Sequence, residues 1–418
     1  MAAREHVPGA AWGIIVDGKL VHVGTAGVRD IASRDPVDTS TVFRIASMTK
    51  SFTALAILRL RDEGKLSLDD PAERYVPELA TLAYPTTDSP RITIRHLLSH
   101  AEGFPEDNPW GDQQLAITDE QMSQLMRRGI PFSNVPGVAY EYSNYGFAIL
   151  GRIVTRVSGM PYAEYVKASI LQPLRMESTT LEPSEVPDDR IARGYRWEDE
   201  QWKLEPPLPD GAFGAMGGML TSITDLGDYV AMFLGAWPPR DGADTLPLRR
   251  SSLREMQQIW RPRAPSVTRG GAGEPVRLDA GGYGFGLRVS GTCTFAHVVS
   301  HSGGLPGFGS QMRWLPEYGV RIGVGHEVTE LRSAERELEH RASHDPLTGL
   351  ANRHRLQLEL QLQALLLRVG AHQRDAVLQH APQVERMALQ PQIGPLIGAL
   401  LPDDAEVDYE IGRASCRE

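Results

Sequence analysis

The sequence predicts an α+β fold in which one antiparallel sheet is built from both ends of the chain and a mostly helical lobe is inserted between them. Three observations lead there. A β-prone hairpin opens the chain, four strand-like runs follow one another between Tyr283 and Val324, and the long stretch between mixes helical periodicity with loops rich in Pro, Gly and Asp.

In order along the chain, Ala11 to Val16 and Leu20 to Val23 are short apolar runs joined by Asp17-Gly18, a dipeptide that favours a tight hairpin turn. From Ser47 to Glu63 the pattern becomes helical. Ala54-Leu55-Ala56-Ile57-Leu58 is apolar on most sides, so this helix is expected to be buried, and Gly64 is placed to end it. The region from Leu66 to Arg277 forms the helical lobe, with Phe147, Leu150, Val154 and Val157 as one amphipathic stripe. The closing strands are expected over Tyr283 to Val289, Thr294 to Ser300, Phe308 to Leu315 and Val320 to Val324. The functional site is then expected where sheet and lobe meet.

Composition narrows the function classes. With 418 residues, 41% hydrophobic and 23% charged, the chain can bury a large core and enclose a cleft. Its net charge of -10 disfavours a nucleic-acid surface, and no apolar run reaches the roughly eighteen residues of a membrane span. Neither nucleic acid nor membrane is an expected partner. The two cysteines, Cys293 and Cys416, give no disulfide framework, and Cys293 is expected to be a core residue on a strand. The first residues lack the apolar core of a secretory signal, so the chain as written is expected in the cytoplasm, or in the periplasm or outside the cell if a signal was trimmed. Oligomeric state is left open.

Chemistry is concentrated in three short motifs. Ser47 and Lys50 in Ser47-Met48-Thr49-Lys50 lie three apart at a helix start, so both project from one face. Serine needs a base, and an enclosed lysine has its pKa lowered enough to share that role. The unpaired N–H groups of the helix start make the Ser47 amide an oxyanion donor. Tyr142-Ser143-Asn144 lies between Pro136-Gly137 and a helix beginning near Phe147, in position to reach a cleft from a loop. Beside two cations Tyr142 is expected to have a lowered pKa and act as a base toward Ser47, with Asn144 orienting a substrate carbonyl or the lysine. Tyr140 lacks an Asn two residues on and is expected to be a packing residue. His301-Ser302-Gly303-Gly304 is expected to follow a strand, its glycines letting backbone approach a ligand.

Together and in this order the three motifs resemble those of the class C β-lactamase and penicillin-binding-protein family of serine hydrolases, which includes family VIII carboxylesterases and D-amino-acid peptidases. The resemblance covers about Pro8 to Gly325; His96-Leu97-Leu98-Ser99-His100, Gly217-Gly218-Met219 and Gly307-Phe308-Gly309-Ser310 are also similar to family loops. It implies a β-lactamase/transpeptidase-like fold, Ser47 as acylated nucleophile, and Lys50 and Tyr142 sharing its proton. It further implies Asn144, His301, Ser302 and Gly303 as substrate-binding residues, and the amides of Ser47 and Gly304 as the oxyanion hole. One departure matters. Where such β-lactamases usually carry Lys in the third motif this chain has His301, only partly charged near neutrality, which shifts the expectation from β-lactams to ester or amide substrates. A β-lactamase and a penicillin-binding or sensing module without turnover are the alternatives.

Other features point to no cofactor. His96 and His100 have the spacing of a zinc pair, but no Glu follows His96, and neither is expected to hold a metal. Gly281 to Gly286 lacks the strand, helix and ribose carboxylate of a dinucleotide site and is expected to begin a strand. Beyond Gly325 every Trp and Phe has been passed, and only Tyr409 is aromatic. Val328, Leu331, Ala334, Leu338 and Ala342 form a helical stripe, with Glu337 and Arg341 as an i,i+4 pair. The hydrolase domain is therefore expected over 1–343, with that helix included. Residues 344–409 read as a foreign or truncated helical segment: His344 to Arg353 resembles the opening of a diguanylate cyclase domain, but no Gly-Gly-(Asp/Glu)-Glu-Phe signature follows. Residues 410–418 resemble translated vector or adapter sequence.

Overall fold

The computed structural model describes residues 7–325 apart from 109, 245–246, 269–276, 293–294 and 317–319. Cys293, the helix expected over Val328 to Ala342 and the segments 344–409 and 410–418 lie outside the described residues. The fold belongs to a unit comprising Met1–Ser266 and Asp279–Glu327. Among the described residues no helix is long and apolar enough to cross a membrane.

The first hairpin forms as its turn dictates. Strands β1 (Gly9–Val16) and β2 (Lys19–Gly27) are joined at Asp17 and Gly18, with φ of 50° and 72°, the left-handed pair that matches strand twist. The main path of the sheet continues with β3 (Arg261–Pro262), β4 (Arg277–Tyr283), β5 (Arg288–Gly291), β6 (Val298–Leu305), β7 (Phe308–Leu315) and β8 (Val320–Gly325), and the short strand Ser266–Thr268 pairs with β4 off this path. Their order is β2-β1-β8-β7-β6-β5-β4-β3. The last strand pairs antiparallel with the first, Trp12 opposite Val324 and Val16 opposite Val320, so both ends of the described chain build one sheet. The fold is the expected α+β arrangement.

Two strand boundaries differ from expectation. Tyr283 to Val289 is not one strand: Gly284 N–H donates to the Leu287 carbonyl at 2.8 Å, and the chain turns there with Gly286 at φ 67°. A Cβ on Gly286 would stand 2.6 Å from the Lys50 carbonyl, so the turn is pressed against the lobe's central helix. The next strand starts at Val298 and contains His301 to Gly304, where it was expected to end before them.

Helix α1 (Thr49–Asp62) runs through the centre of the lobe with all but its last charged residues buried. Its Ala- and Leu-rich run favours helix, and being apolar all round it has no face to offer water. Gly64 ends it at φ 73°, where Lys65 N–H reaches back to the Leu60 carbonyl at 2.9 Å. Helix α2 (Asn144–Ser158) buries Phe147, Leu150 and Val154 fully, with Val157 packed at the edge of the same core. Helix α3 (Ile223–Leu234) joins lobe to sheet: Tyr229 stacks on Phe52 of α1 at 3.7 Å, and Phe233 meets Trp314 of β7 at 5.1 Å between ring centroids. Truncating one such buried aromatic to Ala costs about 3–5 kcal/mol. A hairpin of Tyr195–Glu198 with Gln201–Leu204, not expected from the sequence, leaves Leu204 exposed and is tied by the Tyr195 hydroxyl to Asp30 and Ile31.

Candidate active site

Ser47 sits on a turn held in an uncommon conformation. Ala46, just before it, has φ 48°, a left-handed backbone that costs a non-glycine residue on the order of 1 kcal/mol. Four hydrogen bonds hold the turn. The Thr49 hydroxyl donates to the Ala46 carbonyl at 2.7 Å and accepts the Met219 N–H at 3.1 Å, Ile45 N–H donates to the Met219 carbonyl at 3.0 Å, and the Ser310 hydroxyl of β7 donates to the Ile45 carbonyl at 2.8 Å. A short 3-10 turn, Ala46–Met48, then leads into α1. Ser47 remains partly exposed while Ala46 and Met48 are buried.

One helical turn on, Lys50 has no exposed surface. Its Nζ lies 3.1 Å from Ser47 Oγ, 2.7 Å from Asn144 Oδ1 and 2.7 Å from the Met216 carbonyl. Burial is the main cause that lowers its pKa to about 7, against the pull of Asp107 and Asp112. The partners fit the neutral amine. Asn144 Oδ1 and the Met216 carbonyl can only accept, so they take its two N–H groups and leave the lone pair for the Ser47 hydroxyl.

Asn144 is fixed from three sides. Its Nδ2 donates to Asn108 Oδ1, which turns Oδ1 toward Lys50, and its backbone N–H donates to Asp107 Oδ1 at 2.7 Å. Asp107 also accepts from Tyr145 N–H at 2.8 Å, so one carboxylate satisfies two of the free donors at the start of α2. Asn144 is fully buried and does not line the cleft; of the two roles expected for it, the geometry serves the lysine and not a substrate carbonyl.

Tyr142 also hydrogen-bonds Ser47, and Lys50 Nζ stands 4.9 Å from its ring centroid. The expected lowering of its pKa is not found. Burial drives the phenol well above its ordinary value, outweighing the Ser47 hydrogen bond and the Arg288 charge, so Tyr142 is a neutral phenol over the physiological range. Its ring is positioned by His100, 4.3 Å away, which also meets Tyr283 and Phe147 and accepts the Ser143 N–H at Nδ1. Tyr140 is partly buried in this aromatic cluster, 5.8 Å from Tyr283. His96 instead caps its own short helix: Thr93 and His96 exchange side-chain-to-backbone hydrogen bonds.

The third motif divides between the two faces of its strand. His301 is 1% exposed; its Nδ1 lies 2.7 Å from the Ser302 carbonyl and its Nε2 2.8 Å from the Tyr283 hydroxyl. A carbonyl can only accept, so Nδ1 carries the proton and Nε2 accepts from tyrosine. Burial, with Arg288 and Lys50 nearby, holds its pKa well below the usual histidine value. His301, expected to line the cleft, is instead buried away from it: a period of two along β6 sends its side chain inward. Gly303 does not line the cleft either. A Cβ there would run into the Ile45 carbonyl and approach Ser310 Oγ to 2.6 Å, so this glycine lets β6 close on the Ser47 turn rather than on a ligand. Gly304 has open space where a Cβ would be.

Between lobe and sheet lies a cleft of about 580 Å³ whose lining includes Ser47, Tyr142, Ser302 and Gly304. Glu106, Asn108, Asp112, Glu141, Arg263 and Arg288 also line it. Sequence reasoning missed Asp107, Asn108, Met216 and Arg288. Met216 acts through its carbonyl, which no side-chain pattern reports, and the others stand in loops or strand ends outside any motif.

The beta-lactamase family profile matches residues 1–343. A penicillin-binding protein of Bacillus subtilis (strain 168) is 29% identical over 310 residues, 71% of this chain and 62% of that protein. Protein flp of Staphylococcus aureus (strain MW2) is 29% identical over 325 residues, 76% of this chain and 60% of that one. The chain thus spans less than two thirds of the length of these curated relatives. Among solved structures, the octameric penicillin-binding protein homologue from Pyrococcus abyssi is similar with a TM-score of 0.65 and 30% identity, over 78% of this chain and 70% of that one. The extent of the profile match, joined to a shared fold at that identity, makes this chain a member of the beta-lactamase family.

Proposed function

We propose that the protein is a serine acyl hydrolase that works through an acyl-enzyme on Ser47, with esters or amides of the carboxylesterase or D-amino-acid-peptidase type as substrates. The observation that carries the reading is the buried Lys50 amine, 3.1 Å from Ser47 Oγ with its two other contacts to acceptors. In this reading the lone pair of Lys50 takes the Ser47 proton as Oγ attacks the substrate carbonyl. The oxyanion is met by the amides of Ser47 and Gly304, both on the cleft. As the C–O or C–N bond breaks, Tyr142 gives its phenolic proton to the leaving group, and the Lys50 ammonium beside its ring restores it. Water then attacks the acyl-enzyme, gives its proton to Lys50, and Ser47 recovers its own. Ser302 lines the wall against which substrate lies.

A second reading, β-lactam turnover, is favoured by one observation: Arg288 supplies to the cleft the cation that His301 does not. The test is a panel of a short-chain aryl ester, a chromogenic cephalosporin and a D-amino-acid peptide on one preparation. Ser47→Ala, with a fluorophosphonate as covalent probe, is the control. Turnover of the ester or peptide, with labelling abolished by Ser47→Ala, is the expected result. Labelling that persists on another serine overturns the nucleophile, and an acyl-enzyme that accumulates without release makes the protein a penicillin-binding or sensing module.

A further inference from the structure

The four-residue helix Gly214–Gly217 ends against the start of α1. The last four carbonyls of a helix find no N–H within it. Here three of them take a side-chain donor from one short segment, residues 44–53. The Thr53 hydroxyl donates to the Ala215 carbonyl at 2.6 Å, Lys50 to the Met216 carbonyl at 2.7 Å and the Arg44 guanidinium to the Gly218 carbonyl at 3.1 Å. The acyl-transfer reading uses the middle contact. The two flanking donors, Thr53 and Arg44, are both buried and have no part in it.

Each flanking donor is itself held by a second element. The Ala215 carbonyl can only accept, so the single Thr53 proton goes there, and the Tyr162 hydroxyl, 2.7 Å away, donates to Thr53 Oγ1. Arg44 lies opposite Leu220 in a two-residue antiparallel ladder, and its other terminal nitrogen reaches the Leu208 carbonyl at 2.5 Å. One guanidinium thus ties together both ends of residues 208–218. From behind, α2 closes on the same turn: a Cβ on Gly151 would stand 2.4 Å from that of Ala215. Lys50, by contrast, reaches the turn on a flexible four-carbon stem, and its Nζ settles where its acceptors stand. The Met216 carbonyl is aimed by the peptide units around it, and those are the units that Thr53 and Arg44 hold.

We propose that Thr53 and Arg44 are positioning residues for acyl transfer, holding the carbonyl end of this turn so that Met216 presents its oxygen to Lys50 beside Ser47. The inference rests on the acyl-transfer reading for its effect on rate, while its effect on the lysine can be read without turnover.

The experiment sets Thr53→Val, which keeps the shape and removes the hydroxyl, against Thr53→Ser, which keeps the hydroxyl. Arg44→Lys, which keeps the charge and loses the fork, probes the other end of the turn. Rates for phenyl acetate are normalised to the serine titrated to completion by a fluorophosphonate, so that loss of folded protein does not count. Thr53→Val is expected to lower kcat about tenfold or more with KM within about twofold, because small misplacements of reacting groups are costly. Thr53→Ser is expected to stay within about threefold of wild type, and Arg44→Lys to fall by about threefold or more. Carbon NMR of lysine-labelled protein, with the Lys50 signal assigned by its absence in Lys50→Arg, gives the titration midpoint of that lysine directly. In Thr53→Val the midpoint is expected to fall by about half a unit or more, since the displaced carbonyl no longer holds the ammonium form. A wild type that hydrolyses none of its test esters while the variant shows this shift would sink the acyl-transfer reading and leave the positioning of Lys50 standing. An unchanged or raised midpoint, or a rate loss that Thr53→Ser does not repair, overturns this inference.

Discussion

Lys50 holds its Nζ 3.1 Å from Ser47 Oγ while having no exposed surface of its own. With the lysine pKa lowered to about 7, the amine is half neutral near neutrality and its lone pair is lost in acid. The expected kcat/KM for a neutral aryl ester therefore rises with pH through about 7 and then levels. Tyr142, held high by burial, adds no loss of rate on the alkaline side below pH 10. A stopped-flow or plate-reader profile from pH 5 to 10 checks this, and a flat profile across pH 6 to 8 would rule out Lys50 as the base.

The same depression has a cost in stability. In the unfolded chain the lysine titrates near its ordinary 10.5, so between about pH 7 and 10.5 the unfolded state holds a proton that the folded state does not. Stability from this group accordingly rises with pH across that window and is lowest below it. The slope is at most about 1.4 kcal/mol per pH unit. Urea unfolding of the wild type and of Lys50→Met at several pH values isolates it: the difference between the two free energies grows in favour of the wild type from pH 7 to 10. Parallel curves would mean that the lysine is hydrated in the folded protein.

In the proposed mechanism Lys50 and Tyr142 handle one proton in succession, so their losses are not expected to be independent. Lys50→Ala and Tyr142→Phe are each expected to lower kcat by about 10² to 10⁴, and the double variant to fall little further than the worse single one. Steady-state kinetics of the four proteins settles it. Multiplicative losses would assign the two residues to separate steps.

Gly303 and Gly304 are adjacent and chemically identical, yet the surroundings separate them. Gly303→Ala drives a methyl into the Ile45 carbonyl, and is expected to destabilise the protein by about 2 kcal/mol or more and to displace Ser47, with a large fall in kcat. Gly304→Ala meets open space and is expected to leave the melting temperature nearly unchanged. Thermal melts of the two variants side by side test the contrast; equal melting temperatures would contradict the packing of β6 on the Ser47 turn.

Truncation after Ser343 is expected to leave hydrolysis largely unchanged, because the site residues run from Ser47 to Gly304 and the main sheet closes by Gly325. Activity and solubility of the shortened protein are the measurements. An insoluble or inactive product would make the following residues part of the folded domain.

Much of this was legible in the sequence, and what was not has local causes. Asp17-Gly18 announces the hairpin because only certain residues accept two left-handed positions in succession, and the apolar run Ala54 to Leu58 announces a helix with no wet side. The motif serine and lysine are legible because helical geometry alone brings positions three apart together. His301 misled for the opposite reason. Residue type suggests a partly charged ring facing substrate, whereas one residue of strand register decides which face it occupies: β6 buries His301 and puts Ser302 on the cleft. Tyr142 misled because nearby cations are readable from a motif and burial is not. Arg288 belongs to no motif and becomes visible only when the cleft is assembled.

The bond from Ser310 to the Ile45 carbonyl joins residues 265 positions apart, and β8 must find β1 across almost the whole described chain. During synthesis a ribosome releases the serine, the lysine and the tyrosine long before it makes the strand that clasps their turn. Contacts of such sequence separation form late and slowly. On the proposed reading, a nascent chain therefore carries Ser47, Lys50 and Tyr142 before it has the geometry to use them, and the ability to be acylated arrives with the last strands of the sheet.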